Sequence, residues 1–413
     1  RSLVYTAPTS GGKSLVADIL MMRRLLYQGK RALVNDEFFH YLKSPFVSIC
    51  NEKVTALQRV WGEIVRVQGF FGPNQSGNWH PSVDVAVCTY EKANVLISKW
   101  IEEDTLGQIG TLAPITDELH MVSDPDRGYI LELILTKVRL YQRRYEKLKA
   151  LAARTNRDME ILDIIGLSAT LPDVPTIAQW LGAGLYETKF RPVSLGYKVQ
   201  FNKRVYSFDG RKALDLLFQR DTDGVSTCIF EAMCKNESTL SFCSSKNWCE
   251  SQALKIAENI QSRVAAGRLL FARRRVLLNK LRKCAAGLDD TLAQTIPFGV
   301  AYHHAGLLVE ERAILEHAFR ERTILTFCCT TTLAAGVNLP CRRDALSNLL
   351  RSTRTGPATV ELSRFLQIVG RAGRAGYDDA GECIVWAQDK RELKVVTELL
   401  TGTLPPLESA LTG

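Results

Sequence analysis

Near its start the chain runs SLVYTAPTSGGKSLVADILMMRRLL: an apolar run, a loop of small residues, a lysine, a hydroxyl, and then a renewed apolar periodicity. The spacing Ala7–x4–Gly12–Lys13–Ser14 is the phosphate-loop pattern, with Ala at the first glycine position. The small residues Ala7, Pro8, Thr9, Ser10, Gly11 and Gly12 let backbone N–H groups close around a polyphosphate. The opening turn of the following helix adds the positive end of its dipole. Lys13 is placed to reach the β/γ-phosphates, and Ser14 to hold a Mg²⁺ ion. An ordinary glycine-containing turn is the alternative. The order strand, loop, amphipathic helix favours a site for a nucleoside triphosphate.

Such a unit belongs in a parallel sheet, and the rest of the chain alternates accordingly. Strand candidates in the first half are 3–5, 83–89 and 164–167, with helices over 14–27, 92–102 and 128–151. FRPVSLGYKVQFNKRVYSFDG is polar and extended and reads as a link. Alternation returns with strands at 239–243, 299–303, 324–329 and 381–386 and helices at 247–261 and 308–320, before a short closing helix. At 413 residues the chain exceeds the size at which one core stops growing. The expectation is two consecutive α/β domains, 1–195 and 196–413, each a mostly parallel sheet with helices on both faces. A basic segment near 262–295 carries eight Lys and Arg residues from Arg263 to Lys283 among leucines. It reads as an amphipathic helix, either a solvated insertion packed on the second domain or a nucleic-acid contact.

Lys and Arg number 53 against 44 acids, a net charge of +9 that suits a polyanionic partner but is also common on solvated surfaces. No stretch approaches the roughly 20 apolar residues of a membrane span. The eleven cysteines form no C-x-x-C pair and read as reduced core thiols rather than a zinc site.

Further motifs decide the chemistry. Asp117-Glu118-Leu119-His120 supplies adjacent carboxylates, one to ligate Mg²⁺ and the other to act as general base toward water. Ser168-Ala169-Thr170 ends a strand and, alone, has little specificity. QIVGRAGRAG opens at Gln367, and its Arg371 and Arg374 are expected on one helix face as a clamp for a transferring phosphoryl group. The arginines fall in the second domain and the phosphate loop in the first, so nucleotide is expected in the cleft between them. TTTLAAGVNLP follows a second-domain strand. Its hydroxyls suit a nucleic-acid phosphate and Gly336 and Asn338 the nucleotide, unless the segment merely caps a helix.

TAPTSGGKS, DELH, SAT, TTTLAAGVNLP and QIVGRAGRAG, in that order, resemble motifs I, II, III, V and VI of superfamily 2 helicases. PFVSICNEK, VAVCTYEKAN, LSFCSSKNWCE and VAYHHAGLLVEER are similar to motifs Ia, Ib, IV and the histidine motif before V. DELHMVSDPDRGYILELILTK, FRPV, SSKNWCE and GLDDTLAQTIPFGVAYHHAGL are similar to the branch containing the polymerase theta and POLQ-like helicases. The resemblance implies two tandem RecA-like, P-loop NTPase domains and ATP- and Mg²⁺-dependent 3′→5′ movement on single-stranded or forked DNA during repair, in the nucleus. It also implies DNA-backbone contacts from Thr89 and Lys92, from Ser244 and Lys246, and from Thr331 and Thr332.

Three segments depart from the family pattern: 35–44 after RALV, GTLAPIT before DELH, and CRRDALSNLLRSTRT after NLP. Pro114 is expected to interrupt a central strand, and the family's strand-separating hairpin is not evident in 341–366. No glutamine motif precedes Arg1, and no winged-helix or ratchet domain follows Gly413, so the chain reads as a piece of something longer. The alternatives are an RNA helicase of the same superfamily, a small-molecule kinase sharing the loop, and a core that binds DNA and nucleotide with little turnover.

Overall fold

The computed structural model describes residues 2–8, 11–28, 32–35, 47–71, 82–103, 115–116, 119, 122, 128–152, 163–168, 173–202, 204–207, 212–215, 221, 224–262, 268–330, 339, 341–346, 350–353, 356–360, 362–373, 376–402 and 409. They fall into two compact units, Arg1–Arg191 with Leu404–Gly413, and Pro192–Thr403. Each is an α/β unit built on a mostly parallel sheet. Among the described residues no helix is long and apolar enough to cross a membrane.

The first unit runs β1 (Leu3–Thr6), α1 (Lys13–Gln28), β2 (Ala32–Asn35), α2 (Val47–Trp61), β3 (Val67–Phe70), β4 (Val85–Cys88), α3 (Tyr90–Glu102), β5 (Ile115–Thr116), α4 (Gly128–Ala152), β6 (Ile165–Ser168), α5 (Val174–Leu181) and β7 (Gly184–Glu187). Its strands pair in the order β3-β4-β2-β5-β6-β1-β7, every pair parallel. Alternation along the strands divides the core between two faces. Val4, Leu33, Ala86 and Cys88 pack with α3, α4 and α5. Val34, Val85, Val87, Ile165 and Leu167 pack with α1 and α2. A sheet covered on both faces needs such continuous apolar strands. The central β5 is only two residues long and begins directly after Pro114, which itself lies outside the described residues.

The second unit begins with β8 (Ser194–Phe201), β9 (Arg204–Ser207), β10 (Lys212–Asp215), α6 (Val225–Cys234), β11 (Thr239–Cys243), α7 (Lys246–Gln261), α8 (Arg268–Arg282) and α9 (Asp290–Thr295). It continues with β12 (Val300–His303), α10 (Val309–Arg320), β13 (Thr326–Thr330), β14 (Arg343–Leu346), β15 (Leu350–Thr353), β16 (Gly356–Thr359), α11 (Leu362–Val369), β17 (Ala380–Trp386) and α12 (Lys390–Thr401). The main sheet is ordered β10-β9-β8-β17-β14-β11-β13-β12, parallel from β8 to β12 with an antiparallel β8-β9-β10 edge.

Several expectations change here. The supposed link is β8, a strand paired along its length with β17; its half-exposed alternation near the antiparallel edge gives it a polar texture. CRRDALSNLLRSTRT does not displace the strand after NLP but contains it, since Arg343–Leu346 is the buried β14. A two-stranded hairpin, β15-β16, follows. In the basic segment the helix is Arg268–Arg282, and it packs on the unit. Leu277 and Leu281 join its core, and the buried Arg274 donates from Nε to Thr323 O at 3.1 Å and from Nη1 to Pro297 O at 3.0 Å.

Candidate functional site

The phosphate loop is built at the carboxyl end of β1, the end at which parallel sheets present their ligand sites. Ala7 is wholly buried and its N–H donates to Ser168 O at 3.2 Å, tying the loop to the end of β6. Gly11 donates to Pro8 O at 3.0 Å; a Cβ at Gly11 would sit 2.8 Å from that oxygen and 3.0 Å from the Ala7 methyl. Gly12 has φ +78°, a left-handed conformation, and its carbonyl accepts from Val16 as the first turn of α1 closes. Lys13 therefore opens α1, where the first N–H groups have no acceptor within the helix. Only 9% exposed, Lys13 turns back over the loop and donates from Nζ to Ala7 O at 3.2 Å and Pro8 O at 3.5 Å. Ser14 is exposed on the same turn.

Ser168, wholly buried at the end of β6, has no hydrogen-bond partner for its Oγ among the described residues. Thr9, Ser10, Asp117, Glu118, Ala169 and Thr170 lie outside those residues. The frame of the DELH segment is visible on both sides. β5 ends at Thr116, and Leu119 is buried against Gly166 of β6, where any Cβ would overlap Leu119 Cδ1. Gly166 is a positioning residue that the sequence did not flag.

In the second unit α11 ends at Val369, so Gln367 is helical while Arg371 lies in the turn beyond. Arg371 therefore does not occupy the helix face expected of it. Arg374 lies outside the described residues. The glycines have a packing reason of their own. Gly373 has φ +90° and donates to Cys341 O at 2.7 Å, and a Cβ there would come 2.7 Å from Val193 Cγ1. A Cβ at Gly381 would come 2.5 Å from Ala372 O. The turn is thereby pressed onto β17, and Arg371 O accepts from Cys341 N at 3.3 Å. Gly336, Asn338, Thr331 and Thr332 lie outside the described residues; β13 ends at Thr330, just before them.

The remaining contact candidates occupy corresponding places in the two sheets. Thr89 follows β4 and caps α3, its Oγ1 accepting from Lys92 N at 3.5 Å. Ser244 follows β11 and is exposed; Ser245 caps α7, accepting from Trp248 N at 3.2 Å, and Lys246 opens that helix, exposed. The histidine segment locks α7 to the loop after β12. Gly306 N–H donates to His304 Nδ1 at 3.0 Å, so Nε2 carries the proton and donates to Glu250 Oε1 at 2.9 Å. Burial holds the His304 pKa below its ordinary value, against the pull of Glu250, and the ring is neutral. His303 makes the equivalent 2.9 Å contact with Glu316.

Comparison with known proteins bears directly on this arrangement. Residues 1–177 match the DEAD/DEAH box helicase family, and residues 283–376 the helicase conserved C-terminal domain. This chain carries a DEAD/DEAH box helicase domain followed by a helicase conserved C-terminal domain. It is 37% identical to mouse DNA polymerase theta over 428 aligned positions, which take in 100% of this chain and 16% of that protein. It is 34% identical to human helicase POLQ-like over 98% of this chain and 35% of that protein. Against the Caenorhabditis elegans helicase POLQ-like it is 32% identical, over 99% of this chain and 42% of that protein. The chain thus spans less than half the length of these relatives. Two α/β units on mostly parallel sheets are the tandem RecA-like domains expected of such helicases.

Proposed function

We propose that the chain is the ATP-dependent motor core of a DNA-repair helicase of the polymerase theta and POLQ-like type, moving 3′→5′ on single-stranded DNA with hydrolysis stimulated by that DNA. The observation that carries this reading is Lys13, folded onto the carbonyls of its own loop at the open end of α1 within a helicase domain. A buried ammonium whose partners among the described residues are neutral carbonyls gains most when phosphate oxygens replace them. Backbone N–H groups from Gly11 to Ser14 bind the β-phosphate region, with Pro8, Thr9 and Ser10 shaping the rim. Ser14 and Asp117 hold Mg²⁺, which when bound neutralises phosphate charge. Glu118 takes the proton of the attacking water. Gln367, Arg371 and Arg374 stabilise charge on the γ-phosphate in the transition state, and Gly336 and Asn338 complete the nucleotide site.

Thr89, Lys92, Ser244, Lys246, Thr331 and Thr332 hold the phosphates of one DNA strand, which carry no sequence information and suit a motor that steps along any strand. Hairpin β15-β16 separates strands at a fork. Domains 1–195 and 196–413 work as the two halves of the motor, in the nucleus.

The test is ATP hydrolysis with no nucleic acid, with single-stranded DNA and with RNA, beside a Lys13→Ala variant. DNA-stimulated turnover that falls about a hundredfold or more in the variant is expected. Stimulation by RNA alone would move the chain to the RNA helicases. Absent turnover with retained DNA binding would leave a binding module.

A further inference from the structure

Phe190 carries a large apolar ring that is 70% exposed. Its place follows from the sheet. β7 lies beside β1 in parallel register, with Thr6 opposite Glu187. Pairing then runs one residue further, Thr188 N donating to Thr6 O at 3.0 Å, so the chain leaves the sheet where β1 passes into the phosphate loop. Tyr186 stacks on Tyr5 with ring centroids 5.3 Å apart and planes within 2°, fixing this edge to β1. Phe190 N–H donates to Thr188 Oγ1 at 3.1 Å, which turns the segment. Phe190 O then lies 3.6 Å from where a Gly11 Cβ would stand. The backbone of Phe190 therefore borders the loop at Gly11, and its aromatic ring is exposed.

We propose that Phe190 is the nucleobase platform of the site: its ring stacks on the base of the nucleoside triphosphate whose phosphates the loop holds. This rests on the reading of Lys13 and its loop as a triphosphate site. A nucleotide anchored there by its phosphates carries its base one ribose away, so an exposed ring on the residue whose carbonyl borders Gly11 is within its reach. Stacking is indifferent to the base edges, because every base has a π-face. Phe190 thus contributes affinity for the base without reading which base it is.

The decisive experiment compares equilibrium binding of ATP and of inorganic tripolyphosphate to the wild-type chain, Phe190→Ala, Phe190→Trp and Lys13→Ala. The wild-type protein is expected to bind both ligands. Phe190→Ala should bind ATP about tenfold more weakly, within what the loss of one base–aromatic stack produces, and tripolyphosphate unchanged. Phe190→Trp should retain ATP affinity, with its added indole emission quenched by ATP but not by tripolyphosphate. Lys13→Ala should weaken both ligands. If Phe190→Ala binds ATP as the wild type does while Lys13→Ala does not, the ring is no platform although the phosphate site stands. If Phe190→Ala weakens both ligands alike, the residue props the loop, and the platform is again overturned. A wild-type chain that binds neither ligand would remove the triphosphate site itself, and the platform with it.

Discussion

The two sheets solve one problem differently. In the first, buried strands such as β4, Val-Ala-Val-Cys, carry nothing but apolar side chains, and charge is kept to helices and loops. In the second, a strand between β11 and β17 is Arg-Asp-Ala-Leu, with Arg343 3% exposed and Asp344 wholly buried. A charge is tolerated there only because it is surrounded. Arg343 Nη1 lies 3.0 Å from Glu231 Oε2 and 2.5 Å from the Cys228 carbonyl, to which it donates. Its Nε approaches Glu382 Oε2 at 2.5 Å, an ion pair outside hydrogen-bond alignment, and Glu382 is shared with Lys198. Burial works against the guanidinium charge, but Glu382 and Glu231 outweigh it, and the pKa of Arg343 is raised. Asp344 Oδ1 accepts from the Cys341 thiol at 3.0 Å. A strand such as β4 rests on apolar area, whereas β14 also depends on an ion network, which makes it intolerant of partial change.

Two core substitutions have the largest expected effects, and the first breaks that network. Arg343→Leu leaves Glu231 and Glu382 short of their shared cation, which should destabilise the second unit by about 3 kcal/mol, the lower end for a broken buried pair. Lys198 and Lys235 remain to the two carboxylates and keep the loss from being greater. Removing charge from both partners, Arg343→Leu with Glu382→Leu, should be milder than the single change, because no carboxylate in the strand pair is then orphaned. In the first sheet Leu33→Ala has no such rescue, since only a cavity forms, at about 2–5 kcal/mol. Amide hydrogen exchange in β11 and β14 against β1 and β6 reads the two units separately. A double change as damaging as the single one would show that the strand tolerates charge for some other reason.

This contrast also explains what the sequence reveals. β1, its loop and α1 are legible because an apolar run, small residues and a helical periodicity each report one physical requirement, and the structural bounds differ from the expected ones by a residue. β14 is not legible, since periodicity cannot distinguish a charged strand buried by partners far away in sequence from a solvated loop. β8 is missed for a related reason: next to an antiparallel edge only part of each face is covered, and the alternation reads as polar. In the site, Lys13 and its glycines are fixed by local chemistry and appear in the pattern. The roles of Gly166 and Phe190 depend on Leu119 and Gly11, distant in sequence, and no local signal marks them. The glycines of GRAGRAG show the converse hazard, because Gly373 is required by packing against Val193 and β17 whatever the arginines do.

A smaller effect follows from Glu231. Burial pushes its carboxyl up, but the Lys235 hydrogen bond and the Arg343 charge outweigh it, so its pKa lies below the ordinary 4.5. A carboxylate depressed on folding stabilises the native state above its unfolded pKa, and that contribution is lost as pH falls through the folded value. Between neutrality and pH 5 the term should be constant; below about pH 4.5 it should fade, adding to the acid sensitivity of the second unit. Glu231→Gln should therefore be less stable than the wild type at neutral pH and show a shallower fall in unfolding midpoint as the pH drops from 5 to 3. Parallel acid profiles would mean that the ion network of the second sheet contributes nothing that titrates.

Thr89 gives the smallest change in stability and the sharpest separation of roles. Its hydroxyl oxygen accepts from Lys92 N to cap α3, while its O–H is oriented by no such demand and can donate to a phosphate. Thr89→Ala removes both functions: about 1 kcal/mol of stability in the first unit, and part of the affinity for single-stranded DNA. Thr89→Asp separates them. A carboxylate is a good cap and favours the positive end of the helix dipole, so the unit should keep its unfolding midpoint. The same carboxylate repels a phosphate, so DNA affinity should fall further than in Thr89→Ala and recover partly as salt screens the repulsion. Thermal unfolding and DNA titration at two ionic strengths measure both sides. Stability and DNA affinity both unchanged in Thr89→Asp would reduce Thr89 to a cap and confine phosphate contacts of this kind to the second unit, at Ser244 and Lys246.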